Sequence, residues 1–131
     1  MVRLLLALTL LSSVMVCTAT AGVCGWEEEA PGSAVATISC SVQGSTVVGL
    51  TGLLKDMRGR TTVYVSMIVG ATARCSDFET DRQSMLGTGQ WTSIAAGLRP
   101  NTEYYFRARA EYSGNPTEIR YGKVGNFKTP P

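Results

Sequence analysis

Apolar residues along this chain recur at every second position over runs of about five to ten residues, the period of a pleated strand and not of a helix. In "EYYFRARAEY", residues 103–112, Tyr104, Phe106, Ala108 and Ala110 alternate with Tyr105, Arg107 and Arg109. One face is therefore apolar and the other aromatic and basic. "TTVYVSMIV" sets Val63, Val65, Met67 and Val69 against Tyr64, Ser66 and Ile68. These two runs predict the central strands. "SAVATISCSV" puts Ala34, Ala36, Ile38, Cys40 and Val42 on one face, and "QWTSIAAGL" does the same with Thr92, Ile94, Ala96 and Leu98. "STVVGLTGLL" has the weakest pattern of the set, because Gly49 and Gly52 interrupt it.

Gly, Asn, Asp and Pro punctuate these runs. "GATARCSDFETDRQSM" is polar and predicts a loop with one short edge strand, whose charges discourage pairing with a foreign sheet. "SGNPTE" predicts a loop, and "RYGKVGNFKTPP" a last strand ended by two prolines. "GLTGLLKDM" holds the only hint of a helical period, and no internal repeat is present. The rhythm predicts an all-β, immunoglobulin-like sandwich of about seven antiparallel strands.

The first residues break that rhythm. Arg3 precedes an uncharged apolar run from Leu4 to about Cys17, and Ala19-Thr20-Ala21 offers small residues for a signal peptidase. Residues 1–21 are thus expected to be a secretory signal, too short to span a bilayer. The bulky Val16 argues against lipid attachment at Cys17. Residues 22–33, with Glu27-Glu28-Glu29 and a Pro-Gly pair, predict a leader outside the core, and residues 34–131 one domain. Loss of Arg3 with the signal turns twelve basic residues into eleven against ten acidic, too even a balance to attract nucleic acid or an anionic membrane wholesale. The expected location is extracellular, without stable membrane insertion.

Export also leaves Cys24, Cys40 and Cys75, an odd number in an oxidising compartment. Cys40 lies on the alternating face of its run and reads as a small buried hydrophobe. By elimination Cys24 pairs with Cys75. The unpaired third cysteine leaves open a covalent homo-oligomer.

The run Leu98, Pro100, Thr102, Tyr104, together with the order of strands, resembles the fibronectin type III family over roughly residues 34–130. The resemblance implies a Tyr104 whose ring enters the core and whose hydroxyl bonds a nearby backbone group at the corner between the sheets. Phe106 stands where an immunoglobulin domain has its second core cysteine, which favours the fibronectin branch, and "FKTPP" matches the family's closing phrase. Members commonly carry a tryptophan in strand B. "STVVGLTGLL" has none, Trp91 lies near strand E instead, and "AVATISCSV" could be strand A or strand B.

The chain contains no histidine, which removes the usual proton shuttle and the commonest metal ligand. No cofactor and no catalytic residue is expected. Asp77, Glu79 and Asp81 alternate and could hold calcium, though a solvated edge explains them as well. Binding remains. Tyr64 and Ile68 on one strand and Tyr105, Arg107 and Arg109 on its neighbour would form an aromatic and basic face, of the composition enriched at binding hot spots. Lys55, Arg58 and Arg60 should sit in a loop at one end of the sandwich, where recognition often resides. The expected function is a secreted, non-catalytic module that binds an extracellular or cell-surface protein. A disulfide-linked structural assembly is the alternative, and carbohydrate or small-ligand binding a weaker one.

Overall fold

The computed structural model describes residues 32–131 together with the backbone of Gly25 and Trp26. The signal, most of the leader, Cys24 and Glu27–Glu29 lie outside the described residues. The nine strands among them are β1 (Gly25–Trp26), β2 (Val35–Val42), β3 (Val48–Leu54), β4 (Val63–Gly70), β5 (Phe78–Glu79), β6 (Gln83–Met85), β7 (Gly89–Ala95), β8 (Glu103–Tyr112) and β9 (Glu118–Lys128). Every pairing is antiparallel. One sheet runs β2-β3-β7, and the other β1-β9-β8-β4 with β5 and β6 both on the free side of β4. The two sheets face each other across one core, an all-β sandwich. β1 pairs with Gly125 and Asn126, so the leader expected outside the sheets contributes a strand. The polar segment holds two short strands where one was predicted.

Alternation translates directly into the core where strands are regular. Val63, Val65, Met67 and Val69 of β4 and Tyr104, Phe106, Ala108 and Ala110 of β8 are buried against Val35, Val48, Leu50 and Leu54 of the facing sheet. Phe127 packs between Tyr104 and Phe106, with ring centroids 5.7 and 5.8 Å away. At the corner the Tyr104 hydroxyl accepts the Arg99 N–H at 2.9 Å. Its ring buries apolar area while its oxygen stays satisfied. The turn is held further by Thr129, whose hydroxyl donates to the Arg99 carbonyl at 2.6 Å and accepts the Thr102 N–H at 2.9 Å. Leu98 is buried, and the Pro100 carbonyl accepts the Thr102 hydroxyl at 2.8 Å.

"STVVGLTGLL" forms the middle strand of its sheet. Gly52 pairs with Trp91, and a Cβ on Gly52 would lie 2.5 Å from the indole ring. The glycine that weakens the pattern is the floor on which the tryptophan of β7 lies. Burial of that ring, worth about 4–6 kcal/mol, outweighs the roughly 1–3 kcal/mol cost of an indole N–H left without an acceptor among the described residues.

Two expectations fail for a shared reason, that alternation gives a face without its sign or its slips. In β7 it is Trp91, Ser93 and Ala95 that enter the core, while Thr92, Ile94 and Ala96 meet solvent. Leu98 lies past Gly97, whose φ of +73° turns the chain back inward. In β2 a bulge between Thr37 and Ser39 breaks the predicted single face, so that Val35, Ala36 and Thr37 are all buried.

The cysteine expectation is corrected too. Cys75 keeps its thiol, and Cys40 is the disulfide-bonded residue. Cys75 is only 1% exposed, in a loop folded so tightly on β4 that a Cβ at Gly70 would lie 3.1 Å from the Cys75 Cα. Its sulfur sits 3.6 Å from the Ala73 carbonyl of the same loop.

Candidate functional site

The register of β4, β8 and β9 aligns residues that point away from the core. Tyr64, Glu111 and Ile119 form one row, followed by Ser66, Arg109 and Tyr121, then Ile68, Arg107 and Val124, then Gly70, Tyr105 and Asn126. Directly paired residues share a face, so Tyr64, Ile68, Tyr105, Arg107 and Arg109 are brought together as predicted. Their accessibility differs. Tyr64 is 38% exposed, whereas Ile68, Tyr105 and Arg107 are half-buried. Arg109 is only 8% exposed, so it is not the solvent-facing contact expected of it. Ile119 at 37% and Tyr121 at 44% complete the exposed patch.

Arg109 is covered because two carboxylates and a second arginine close over it. It lies 3.5 Å from Glu79 and 3.0 Å from Glu111, and Arg82 reaches the same two acids at 3.0 and 3.2 Å. The Ser66 hydroxyl also donates to Glu79. Two arginines and two glutamates make this ring neutral. Burial alone would raise the Glu79 carboxyl, but hydrogen bonds from Arg82 and Ser66 and the charge of Arg109 hold it below the usual carboxylate range. Next to the ring, the Arg107 guanidinium stacks 4.9 Å over Tyr121 and donates from Nε to the Gly122 carbonyl at 2.9 Å.

A second cluster forms at the loop end. Lys55, Arg58 and Arg60 occupy the connection between β3 and β4, as predicted. The Arg60 N–H donates to the Met57 carbonyl at 3.0 Å, across a turn in which Arg58 and Gly59 have φ of +50° and +77°. Positive φ at two central residues defines a primed turn, a strained conformation for arginine. Asp56 offsets the strain by accepting the Arg58 N–H at 2.8 Å, and its own carbonyl accepts the Tyr112 hydroxyl at 2.7 Å. Burial raises the Tyr112 phenol above its ordinary pKa, keeping that donor protonated.

From this turn Arg58 and Arg60 reach Glu118 at 3.3 and 3.5 Å, and Arg120 approaches it at 2.8 Å. Hydrogen bonding from Arg58, with the charges of all three arginines, keeps the Glu118 carboxyl below its ordinary pKa. Arg60 also donates to the carbonyls of Ser113 and Arg58, at 3.3 and 3.0 Å, tying the two loops of this end together. The Arg58 guanidinium lies 5.9 Å from the centre of the Tyr112 ring. Sequence reasoning missed Glu118 and Arg120 here, and Glu79, Arg82, Ile119 and Tyr121 on the sheet face. Ile119 and Tyr121 carry a usable signal, since they alternate with Arg120 at the start of the last strand.

Asp77, Glu79 and Asp81 do not converge. Glu79 belongs to the neutral ring, and the Asp77 carboxylate accepts the Ala71 N–H at 2.8 Å. Among the described residues no three His, Cys, Asp or Glu side chains are grouped to hold a metal. Two open clefts of about 250 and 280 Å³ border Gln83 and Thr92 in one case and Asp77, Arg99 and Tyr104 in the other. Both fall under the roughly 300 Å³ at which small-molecule sites begin.

No family model matches this sequence, and no curated protein does. Solved structures do match in shape. A short form of the sensor domain of the anti-sigma factor RsgI4 from Pseudobacteroides cellulosolvens has a TM-score of 0.56 at 16% identity, over 73% of this chain and 92% of that one. The solution structure of the RsgI4 sensor domain has a TM-score of 0.59 at 14% identity, over 75% of each chain. At such identity the likeness establishes a shared sandwich fold and nothing further.

Proposed function

We propose that this chain is a secreted, non-catalytic protein-binding module of the fibronectin type III kind, which meets an extracellular partner through the outer face of β4, β8 and β9. The observation that carries the reading is the exposure of Tyr64 on β4 and of Ile119 and Tyr121 on β9, all more than a third exposed, on the two sides of one sheet face stiffened between them by the Glu79–Arg82–Glu111–Arg109 ring. Exposed aromatic side chains on a rigid base bring large contact area at low ordering cost. The three-stranded and β9-β8-β4 sheets, and the hydroxyl of Tyr104 on the Arg99 backbone, support the fibronectin type III assignment. The anti-sigma factor relative in shape is itself named a sensor domain, a role that also depends on recognition. Absence of histidine from the sequence supports a binding role over a catalytic one. A covalent assembly is less favoured, since the Cys75 thiol is buried.

The test is capture of a partner from extracellular fluid by the exported protein, with contacts mapped by cross-linking. Tyr64→Ser with Tyr121→Ser should keep the melting temperature within about 5 °C, as exposed sites usually change stability little, and abolish capture. Undiminished capture by the folded double variant rejects this face.

A further inference from the structure

We infer that the cluster of Arg58, Arg60 and Arg120 receives one acidic side chain of a protein partner, whose carboxylate joins that of Glu118. The inference rests on reading the chain as a protein-binding module, but it uses a surface separate from Tyr64 and Tyr121.

Three guanidiniums lie within 3.5 Å of a single carboxylate, so positive charge exceeds negative where they meet. With exposed Lys55 and Asp56 included, four cations face two anions at this end. Arg58 bonds Glu118 through Nε and Nη2, and its Nη1 makes no hydrogen bond among the described residues. Side-chain exposures of 36% for Arg58 and 45% for Arg120 leave unused N–H donors facing solvent. Planar guanidinium groups match carboxylate geometry in pairs.

These donors are also held in place. Arg58 sits on a turn fixed by Asp56 and rests near the Tyr112 ring, while Arg60 is pinned by two carbonyls. A partner carboxylate therefore meets donors whose ordering cost is already met by folding. The site is a point and not a track. Its three arginines converge on one residue, whereas Arg82, Arg107 and Arg109 are engaged on the sheet face. A polyanionic glycan or nucleic acid requires basic residues spread along its length, which favours a single acidic side chain on a protein instead.

The experiment titrates the full exported chain with fluorescein-labelled hexaglutamate, hexaglutamine and a heparin hexasaccharide, reading anisotropy at about 50 and 300 mM salt to vary screening. Hexaglutamate should bind, weaken with salt, and lose about tenfold in affinity in Arg58→Gln with Arg120→Gln, a change of about 1.4 kcal/mol. Hexaglutamine should not bind. The Tyr64→Ser, Tyr121→Ser variant should bind hexaglutamate as the parent does, so failure of the sheet-face reading and failure here are told apart. Side-chain Nε–Hε resonances of the parent should shift at Arg58 and Arg120 on titration, a readout that needs no substitution. No hexaglutamate binding at low salt, equal binding by the arginine variant, shifts confined to other arginines, or tighter binding of heparin than of hexaglutamate would each overturn the proposal.

Discussion

Replacing Thr37 with valine keeps the shape of the side chain and removes one hydroxyl, and it should cost far more than a surface change of that size. Thr37 is 1% exposed, and its hydroxyl crosses from the three-stranded sheet to the other. It donates to the Lys123 carbonyl at 2.7 Å and accepts the Ala108 N–H at 3.0 Å. Those two groups need it because the β8–β9 ladder slips between Arg107 and Arg109, where Arg107 pairs with Val124 but Arg109 with Tyr121. The bulge displaces the chain around Gly122 and Lys123 opposite Ala108, and the bulge of β2 inserts Thr37 into the opening. Gly122 makes room, since a Cβ there would lie 2.5 Å from the Thr37 hydroxyl. Valine removes the acceptor of the buried Ala108 N–H, at about 1–3 kcal/mol, and one hydrogen bond to the part-buried Lys123 carbonyl, at about 0.5–1.5 kcal/mol. We expect a loss of about 2–4 kcal/mol, which lowers the melting temperature by roughly 10–20 °C in a domain of this size. The assay is urea unfolding followed by Trp fluorescence at neutral pH without reductant, which leaves the disulfide intact, with Thr51→Val as control. Thr51 contacts Thr92 through an exposed pair of hydroxyls 3.4 Å apart, so its loss should stay within about 0.5 kcal/mol. A Thr37→Val protein as stable as that control would refute the claim that the hydroxyl locks the two sheets.

Gly52→Ala should destabilise by about 1–3 kcal/mol through overpacking against the Trp91 ring, and Trp91→Leu in the same chain should show a favourable coupling in a double-mutant cycle of denaturation midpoints. Glu79 is ionised more readily when folded than at its ordinary value of 4.5, so its contribution is fully present above that pH and is lost as pH falls below it. The stability gap between parent and Glu79→Gln should therefore be constant above about pH 5.5 and close toward pH 3, and a Glu79 carboxyl that titrates at or above 4.5 by NMR contradicts the ring.

The fold was legible where one strand could be read by itself. β4 and β8 each bury a full apolar face, and alternation alone identifies Val63, Val65, Phe106 and Ala108 as core. The tyrosine at position 104 was legible for a similar reason, since its corner is built from residues within a few positions of it. What escaped was everything settled between strands. No local pattern says that Gly52 must be bare to seat Trp91, 39 positions away by number. Nor does any say that Thr37 answers a bulge in β9, or that Cys75 turns into its own loop.

The binding surfaces divide along the same line. The row of Tyr105, Arg107 and Arg109 reads as a basic strip, yet Glu79 and Arg82, from a segment that sequence gives as a polar loop, join Glu111 in a neutral ring that covers Arg109, and of the strip's two arginines Arg107 alone enters no ion pair among the described residues. The sheet face is thus left with one net positive charge, on Arg107, beside its exposed tyrosines and isoleucine, and contacts made there should depend less on ionic strength than those at the loop end. At the loop end the balance tips the other way, because one glutamate stands against three arginines and Lys55 enters no ion pair among the described residues. Association through that end must weaken as salt screens it. Two surfaces that look alike as a list of residues therefore differ in the force they offer a partner, and the difference comes from where Glu79 and Glu118 fall in space.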